Sequence, residues 1–444
     1  MRRILSILLA LCVSVGLFPV SAAEYTYAEP LEPEKWMEPD FSSDHAYSIA
    51  LVGDTQSLSR GDYFYGTNHM EQLFGTIADT AEERKLEHVI VLGDITDMGY
   101  RNDTNLGYSI FKPPVTGEWE NAQKAILQMS EAGVSYSLCR GNHDDYMIDD
   151  YFNIPAYTDQ FKDCGGFYSD STAKHANGQE SRNPQGYLYW SATSGYHENS
   201  IVNSYKTMEL CGNKYIFITV DHHLTMNVIQ WVDQILEEYS DHLAIVATHA
   251  YIGSQGNLFS STEGDTHLPN GLGSQHLWEQ ALQYHENVLA VVCGHVPTEK
   301  PVCSNVRRGV NGNVVREILV DPHGYDLREE NANGDIMSGI QDTGMVLYMN
   351  FSEDGSKVTF DYYSTLLNKE MKKADYPITL YKENPLKNKE KEAVAEVPET
   401  SEALGEPKLQ GQGGGVWIII PAALVIVILV PVVMYMIRRK KEKK

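Results

Sequence analysis

Short apolar runs alternate with amphipathic stripes through the middle of this chain, and that rhythm constrains the fold more than any other feature. Residues 47–52, 89–92, 134–139, 215–220, 243–247 and 288–293 are runs of strand length with little polarity. Between them lie stripes at helical spacing: Met70, Leu73, Phe74 and Ile77, then Trp119, Ala122, Ile126 and Met129. Val228, Trp231, Val232, Ile235 and Leu236 form a third, with Thr225 placed to cap its start, and Leu277, Trp278, Ala281 and Leu282 a fourth. The alternation predicts βαβ units feeding a largely parallel inner sheet. After Val310 the pattern becomes strand, turn, strand, over 314–320, 345–351 and 357–363, with Glu353-Asp354-Gly355 as a hairpin signal between the last two. Residues 145–213, rich in Tyr, Asp, Asn and Gly, interrupt the rhythm and read as an insertion between two core strands.

The flanks read as addresses. Residues 1–23 carry Arg2 and Arg3, an apolar run and a small-residue end, the pattern of a secretory signal. Residues 24–45 form an acidic lead-in, 46–381 the α/β domain, and 382–415 a Lys-, Glu-, Pro- and Gly-bearing stalk. Residues 416–437 hold no charge and would span about 33 Å as a helix, enough to cross a bilayer. The basic tail at 438–444 sets that side as cytoplasmic, so the expected location is the cell membrane, single-pass, with the body of the protein extracytoplasmic. The leader carries two Arg and no acid and the tail nets plus five, so the −25 of the whole chain leaves −32 on residues 24–415. Such a surface repels polyphosphate backbones, and nucleic acid is not an expected partner. Beyond the leader five cysteines remain, an odd number, so one at least is unpaired within the chain. Cys139 and Cys293 end apolar runs and are expected to be buried; a bridge among Cys164, Cys211 and Cys303 stays open.

Five polar clusters directly follow strand-like runs: Gly53-Asp54-Thr55-Gln56, Gly93-Asp94-Ile95-Thr96-Asp97, Gly141-Asn142-His143-Asp144, Thr248-His249 and Gly294-His295. In open α/β sheets ligands bind at the C-terminal edge of the strands, so all five could converge on one crevice. Glycine before the polar residue would let the chain turn sharply. Carboxylate, amide oxygen and imidazole together are a ligand set for a pair of divalent metal ions.

In order and placement these clusters resemble the calcineurin-like metallophosphoesterase superfamily, in its secreted or cell-surface bacterial branch, whose signature runs D-x-H, G-D-x-x-D, G-N-H-D/E, a strand-end His and G-H-x-H. Softer agreement comes from Asn203-Ser204-Tyr205 and Tyr362-Tyr363-Ser364. The resemblance covers roughly residues 46–366 and implies a four-layer α/β/β/α sandwich and a small phosphoester substrate, mono- or diester, hydrolysed by a metal-bound hydroxide. It implies that Asp94 bridges two metals, that Asn142, His249 and His295 complete one site, and that Asp54 and Gln56 belong to the other. His143 would stabilise the transition state or protonate the leaving oxygen, with Asp97 orienting it.

Two positions depart from the signature, both at one metal site. Gln56 stands where the family usually has His, and Pro297 replaces the last His of G-H-x-H. A Gln oxygen suits Mn, Mg or Ca better than Zn, and three outcomes stay open, a weaker ion there, a ligand borrowed from elsewhere or a single-metal enzyme, with the metals open among Mn, Fe, Zn, Mg and Ca. His323, His267 and His276 are candidate substitutes, whereas His222 and His223 are expected at the surface. The aromatic residues Tyr146, Tyr151, Phe152, Tyr157, Phe161, Tyr187, Tyr189 and Trp190 are candidates for a wall against a base or sugar. The rival expectation is a catalytically degenerate member that serves as a surface binding module.

Overall fold

The nine strand-like runs of the sequence pair into two sheets. The computed structural model describes residues 36–37, 39, 44–59, 69–97, 117–144, 147–170, 181–182, 188–189, 200–261, 272–297, 302–322, 344–365, 368–372 and 378–379. In the first sheet, β1 (Tyr47–Val52), β2 (Leu86–Val91) and β3 (Tyr136–Leu138) run parallel. The second holds, in spatial order, β4 (Gly165–Phe167), β5 (Ser204–Leu210), β6 (Asn213–Val220), β7 (Leu243–Thr248), β8 (Val288–Cys293), β10 (Val314–Val320) and β9 (Val302–Arg308). Strands β6, β7, β8 and β10 are parallel, and the outer ones antiparallel. The hairpin β11 (Met345–Phe351) and β12 (Lys357–Ser364) extends the first sheet antiparallel to β1. The expected largely parallel sheet is thus parallel only in part, in the second sheet at its centre and in the first at one end, over β1, β2 and β3.

Strand alternation explains the layering. In β1, Tyr47, Ile49 and Leu51 point into a core shared with Phe217, Ile245 and Leu347, which fills the space between the sheets. Ala50 and Val52 face the opposite way, toward helices α1 (His69–Asp79) and α2 (Glu118–Glu131), with Leu73, Phe74, Trp119 and Ile126. On the far side, Ile216, Ile218 and Val246 meet α4 (Met226–Glu238) and α5 (Ser274–Gln280) through Val232, Leu236 and Leu277. Every apolar strand residue therefore finds a neighbouring layer, which is the α/β/β/α arrangement. Helix α4 starts as expected: the Thr225 hydroxyl accepts the Val228 N–H at 3.2 Å.

Part of the expected insertion is core. Strands β4 and β5 complete the second sheet, and helix α3 (Met147–Phe152) packs beside α2. Phe152, Tyr157 and Phe161 are fully buried and Tyr151 stacks on Trp119 at 5.5 Å, so these four rings pack the interior instead of walling a ligand. Tyr146, Tyr187 and Trp190 lie outside the described residues, and nothing is described of the Tyr189 side chain. Cys139 and Cys293 are buried, and Cys164 and Cys211 are free thiols, which closes the option of a bridge between those two. The leader 1–23, the stalk 382–415, the apolar segment 416–437 and the tail 438–444 lie outside the described residues, and among those described no helix is long and apolar enough to cross a membrane.

The interior between the sheets also holds an imidazole. His88 on β2 lies between the hydroxyls of Ser135 and Ser137, at 2.9 and 3.0 Å, and against the Phe217 ring. Burial, with Lys206 nearby, holds its pKa well below the ordinary value of 6.5. The folded protein keeps this ring neutral while the unfolded chain takes up a proton below about pH 6.5, so stability falls as the pH drops. The slope is about 1.4 kcal/mol per pH unit until the folded form titrates as well. Urea midpoints measured from pH 7 to 5 are expected to fall less steeply for His88→Gln than for the wild type; parallel lines would refute the neutral assignment.

Candidate metal centre

The parallel strands of both sheets deliver their C-terminal loops to one edge. Asp54 and Gln56 follow β1, Asp94 and Asp97 follow β2, Asn142 and His143 follow β3, His249 follows β7 and His295 follows β8. Three of these residues adopt left-handed backbone: Asp54 at φ 24°, Asp94 at 46° and His295 at 75°. Such conformations cost about 1–3 kcal/mol each in non-glycine residues and collect at functional sites. Gly93 shares the left-handed conformation at φ 98°, but Gly141 serves close approach instead: a Cβ there would stand 2.1 Å from Asp94 Oδ1. The expected turning role thus applies to the glycine before Asp94 and not to the one before Asn142.

Four donors meet at this edge. His249 Nε2 lies 3.2 Å from Asp94 Oδ1 and 3.0 Å from Asn142 Oδ1. His295 Nδ1 lies 2.9 Å from Asn142 Oδ1 and 3.2 Å from His249 Nε2. His249 Nδ1–H donates to Leu92 O at 2.9 Å, which fixes the tautomer and turns the Nε2 lone pair toward the other donors. Lone pairs from an imidazole, an amide oxygen and a carboxylate all face one point, an arrangement that a cation satisfies. Edges of about 3 Å suit donors that each sit about 2.0–2.2 Å from a shared ion. Burial alone would raise the Asp94 carboxyl, but His249 and His143 beside it hold it well below the usual carboxylate range. Burial disfavours charge on His249, yet the adjacent carboxylate lifts its pKa above the ordinary value, whereas burial beside His249 pushes His295 down to about 3.

The other half of the centre is built from oxygen. Both carboxylate oxygens of buried Asp54 accept the His295 N–H, at 3.1 and 3.0 Å. The Gln56 amide fits best with its NH2 donating to the carbonyls of Asp94 and Asp54, at 3.2 and 3.0 Å. Its oxygen then faces Asp94 Oδ2 at 3.4 Å, two oxygens turned toward each other as cation ligands are. Pro297 is exposed and offers no side-chain donor. Of the expected substitutes, His276 is not among the groups gathered around Asp94, while His267 and His323 lie outside the described residues.

His143 stands beside this centre. Its Nδ1 lies 2.8 Å from Asp97 O and 3.2 Å from Asp97 Oδ1, and its Nε2 faces Asp94 Oδ2 at 3.9 Å. Asp97 thereby orients the ring, and its own N–H is held by the buried Glu118 carboxylate at 3.0 Å. Three further residues differ from, or go beyond, what the sequence reading assigned them. Asp144 accepts the N–H groups of Gly141 and Thr96, both at 2.8 Å, and so ties the loop bearing Asn142 to the one bearing Asp94; burial and the Asp94 charge push its pKa up to about 6. His222 and His223, expected at the surface, are 4% and 8% exposed, and the His222 ring stands 5.3 Å from that of His249. The strand β6 ends inside the molecule, so the residues after it are covered.

The sequence pattern of the calcineurin-like phosphoesterases matches residues 47–299, from the first residue of β1 to just past His295. The chain belongs to this family. Family membership implies divalent metal ions at the centre described above. An uncharacterised protein of Bacillus subtilis (strain 168), YvnB, is 21% identical over 254 residues; the match takes in 56% of this chain and 15% of that protein's length. Among solved structures, a dimetal phosphatase from Danio rerio is 10% identical with a TM-score of 0.39, covering 76% of this chain and all of its own. GAP50, the anchor in the inner membrane complex of Plasmodium, is 12% identical with a TM-score of 0.37, covering 83% and 99% respectively.

Proposed function

We propose that this calcineurin-like phosphoesterase is anchored in a cell membrane by residues 416–437, with its metal centre outside the cytoplasm, and that it hydrolyses a small phosphate mono- or diester. The signal-like leader, the uncharged segment with its basic flank and the acidic body support the placement. One observation carries the site assignment: four donors, from strand ends in both sheets, each stand 2.9–3.2 Å from at least one other of the set.

In this reading Asp94, Asn142, His249 and His295 hold one divalent ion, and Asp54, Gln56 and the second Asp94 oxygen hold another more weakly. Bound ions supply Lewis acidity and acidify a water at neutral pH. The chain's own residues do the rest. Asp94 and Asn142 fix the position of the centre, and Asp144 locks the loops that carry them. His143 keeps Nδ1–H on Asp97 and presents Nε2 toward the centre, where it holds a proton for the departing oxygen.

Purified full-length protein in detergent, assayed on para-nitrophenyl phosphate and its bis ester with added Mn, Fe, Zn, Mg or Ca, tests the reading. Turnover dependent on a metal is expected, and silence with every metal would favour the binding-module alternative. His143→Gln is expected to lower kcat by about 10²–10⁴-fold on an alkyl phosphate, whose leaving oxygen needs a proton, and by less on the nitrophenyl ester. Equal losses on both substrates would remove the acid role from His143.

A further inference from the structure

The strand end after β6 carries an imidazole that the five sequence clusters do not include. His222 is 4% exposed, and neither of its ring nitrogens has a hydrogen-bond partner. Its ring packs at 5.3 Å from His249 and 5.8 Å from His295, while those two rings are 4.9 Å apart. It therefore sits 0.4 and 0.9 Å beyond the separation of a pair whose nitrogens already meet. A buried nitrogen without a partner costs about 1–3 kcal/mol, and unsatisfied groups of this kind mark a redox or catalytic role or an ion. Hydrophobic side chains of the same volume would pack there at no such cost. The neighbouring Asp221 does not answer the ring, because its carboxylate is taken up by Arg140 at 2.7 and 2.8 Å.

We propose that His222 is a third imidazole ligand of the ion held by Asp94, Asn142, His249 and His295. The inference rests on the metal-centre reading above and deepens it. Among the described residues the half of the centre with Asp54 and Gln56 offers only oxygen, while the other half gains a nitrogen that the family signature does not supply. Imidazole-rich sites select Zn, Fe, Cu or Ni, and oxygen sites Mg, Ca or Mn. The centre is therefore chemically divided, with a first equivalent of zinc going to the imidazole half and an oxygen-seeking ion to the other.

Two measurements on the full-length protein test this. Zinc-edge X-ray absorption of wild-type protein loaded with one equivalent of zinc is expected to count three imidazoles. Two imidazoles overturn the proposal whatever any variant does, and they leave the wider metal-centre reading intact, because that reading needs only zinc bound by His249 and His295. Zinc binding by His222→Leu, which keeps the packing volume, is expected to be at least tenfold weaker by competition with a chelator, and free imidazole is expected to restore binding to His222→Ala. Wild-type affinity in the Leu variant also overturns the proposal. A wild type that binds no zinc overturns the proposal as well, and one that takes up none of Zn, Fe, Mn, Mg or Ca is the separate result that defeats the metal-centre reading itself.

Discussion

Asp94→Ala is expected to abolish turnover, with a loss on the order of 10³-fold or more. One of its oxygens faces His249 at 3.2 Å and the other faces Gln56 at 3.4 Å, so a single side chain serves both halves of the centre. The same carboxylate accepts the His143 N–H at 2.9 Å, so its removal also frees the loop that carries the proposed acid. Stabilisation of transition-state charge by a bound ion is worth several kcal/mol, and each 1.36 kcal/mol is a factor of ten. Metal titration and kcat measured on one preparation check the expectation. Asn142→Ala and His249→Ala are expected to follow closely, because each removes a donor from the four-membered set. Gln56→Ala is expected to do much less, since that residue offers one neutral oxygen. Loss in Gln56→Ala as complete as in Asp94→Ala would show that the oxygen half is not the weaker one.

Arg140→Ala is expected to destabilise the fold by about 3–5 kcal/mol. The Arg140 side chain leaves the end of β3 in the first sheet and meets Asp221 at the end of β6 in the second, and both side chains are 2% exposed. Two charge-assisted contacts at 2.7 and 2.8 Å join the sheets directly behind the metal centre. Burial raises the Asp221 carboxyl and Arg140 opposes that rise, so truncating the arginine strands a buried carboxylate with only the His223 N–H left to offset its desolvation. Replacing both partners with apolar residues, as in Arg140→Met with Asp221→Leu, is expected to restore much of the loss. Urea unfolding of the single and double variants decides it. A single variant within about 1 kcal/mol of wild type would mean that Asp221 finds another partner.

The strands most legible in the sequence were those covered on both faces. Val288–Cys293 is an unbroken apolar run, Tyr47–Val52 and Met345–Phe351 are interrupted only by Ser48 and Asn350, and Val314–Val320 only by Arg316 and Glu317; the structure forms all four over those same residues. Ser204–Leu210 was hidden in the expected insertion because it alternates polar and apolar residues near an edge of its sheet, where Lys206 reaches Ser135 rather than a greasy neighbour. Val302–Arg308 escaped for a related reason: as an edge strand it carries Ser304, Asn305 and Arg307, whose charge is matched by Glu317 on β10. Their polar partners come from distant segments, so no local pattern advertises them.

The residue types around the centre and the order of their loops belong to the sequence, because a carboxylate, an amide or an imidazole is a ligand wherever it lies and a short apolar run is a strand before it pairs. What the tertiary structure decided is which of them meet. His222 and His276 look alike as single letters, yet the end of β6 brings His222 against His249 and His295, whereas His276 lies on helix α5. The physical reason is that side-chain chemistry and periodicity are local, whereas convergence follows from how two sheets bury their apolar faces against each other. That choice is made by the whole molecule at once.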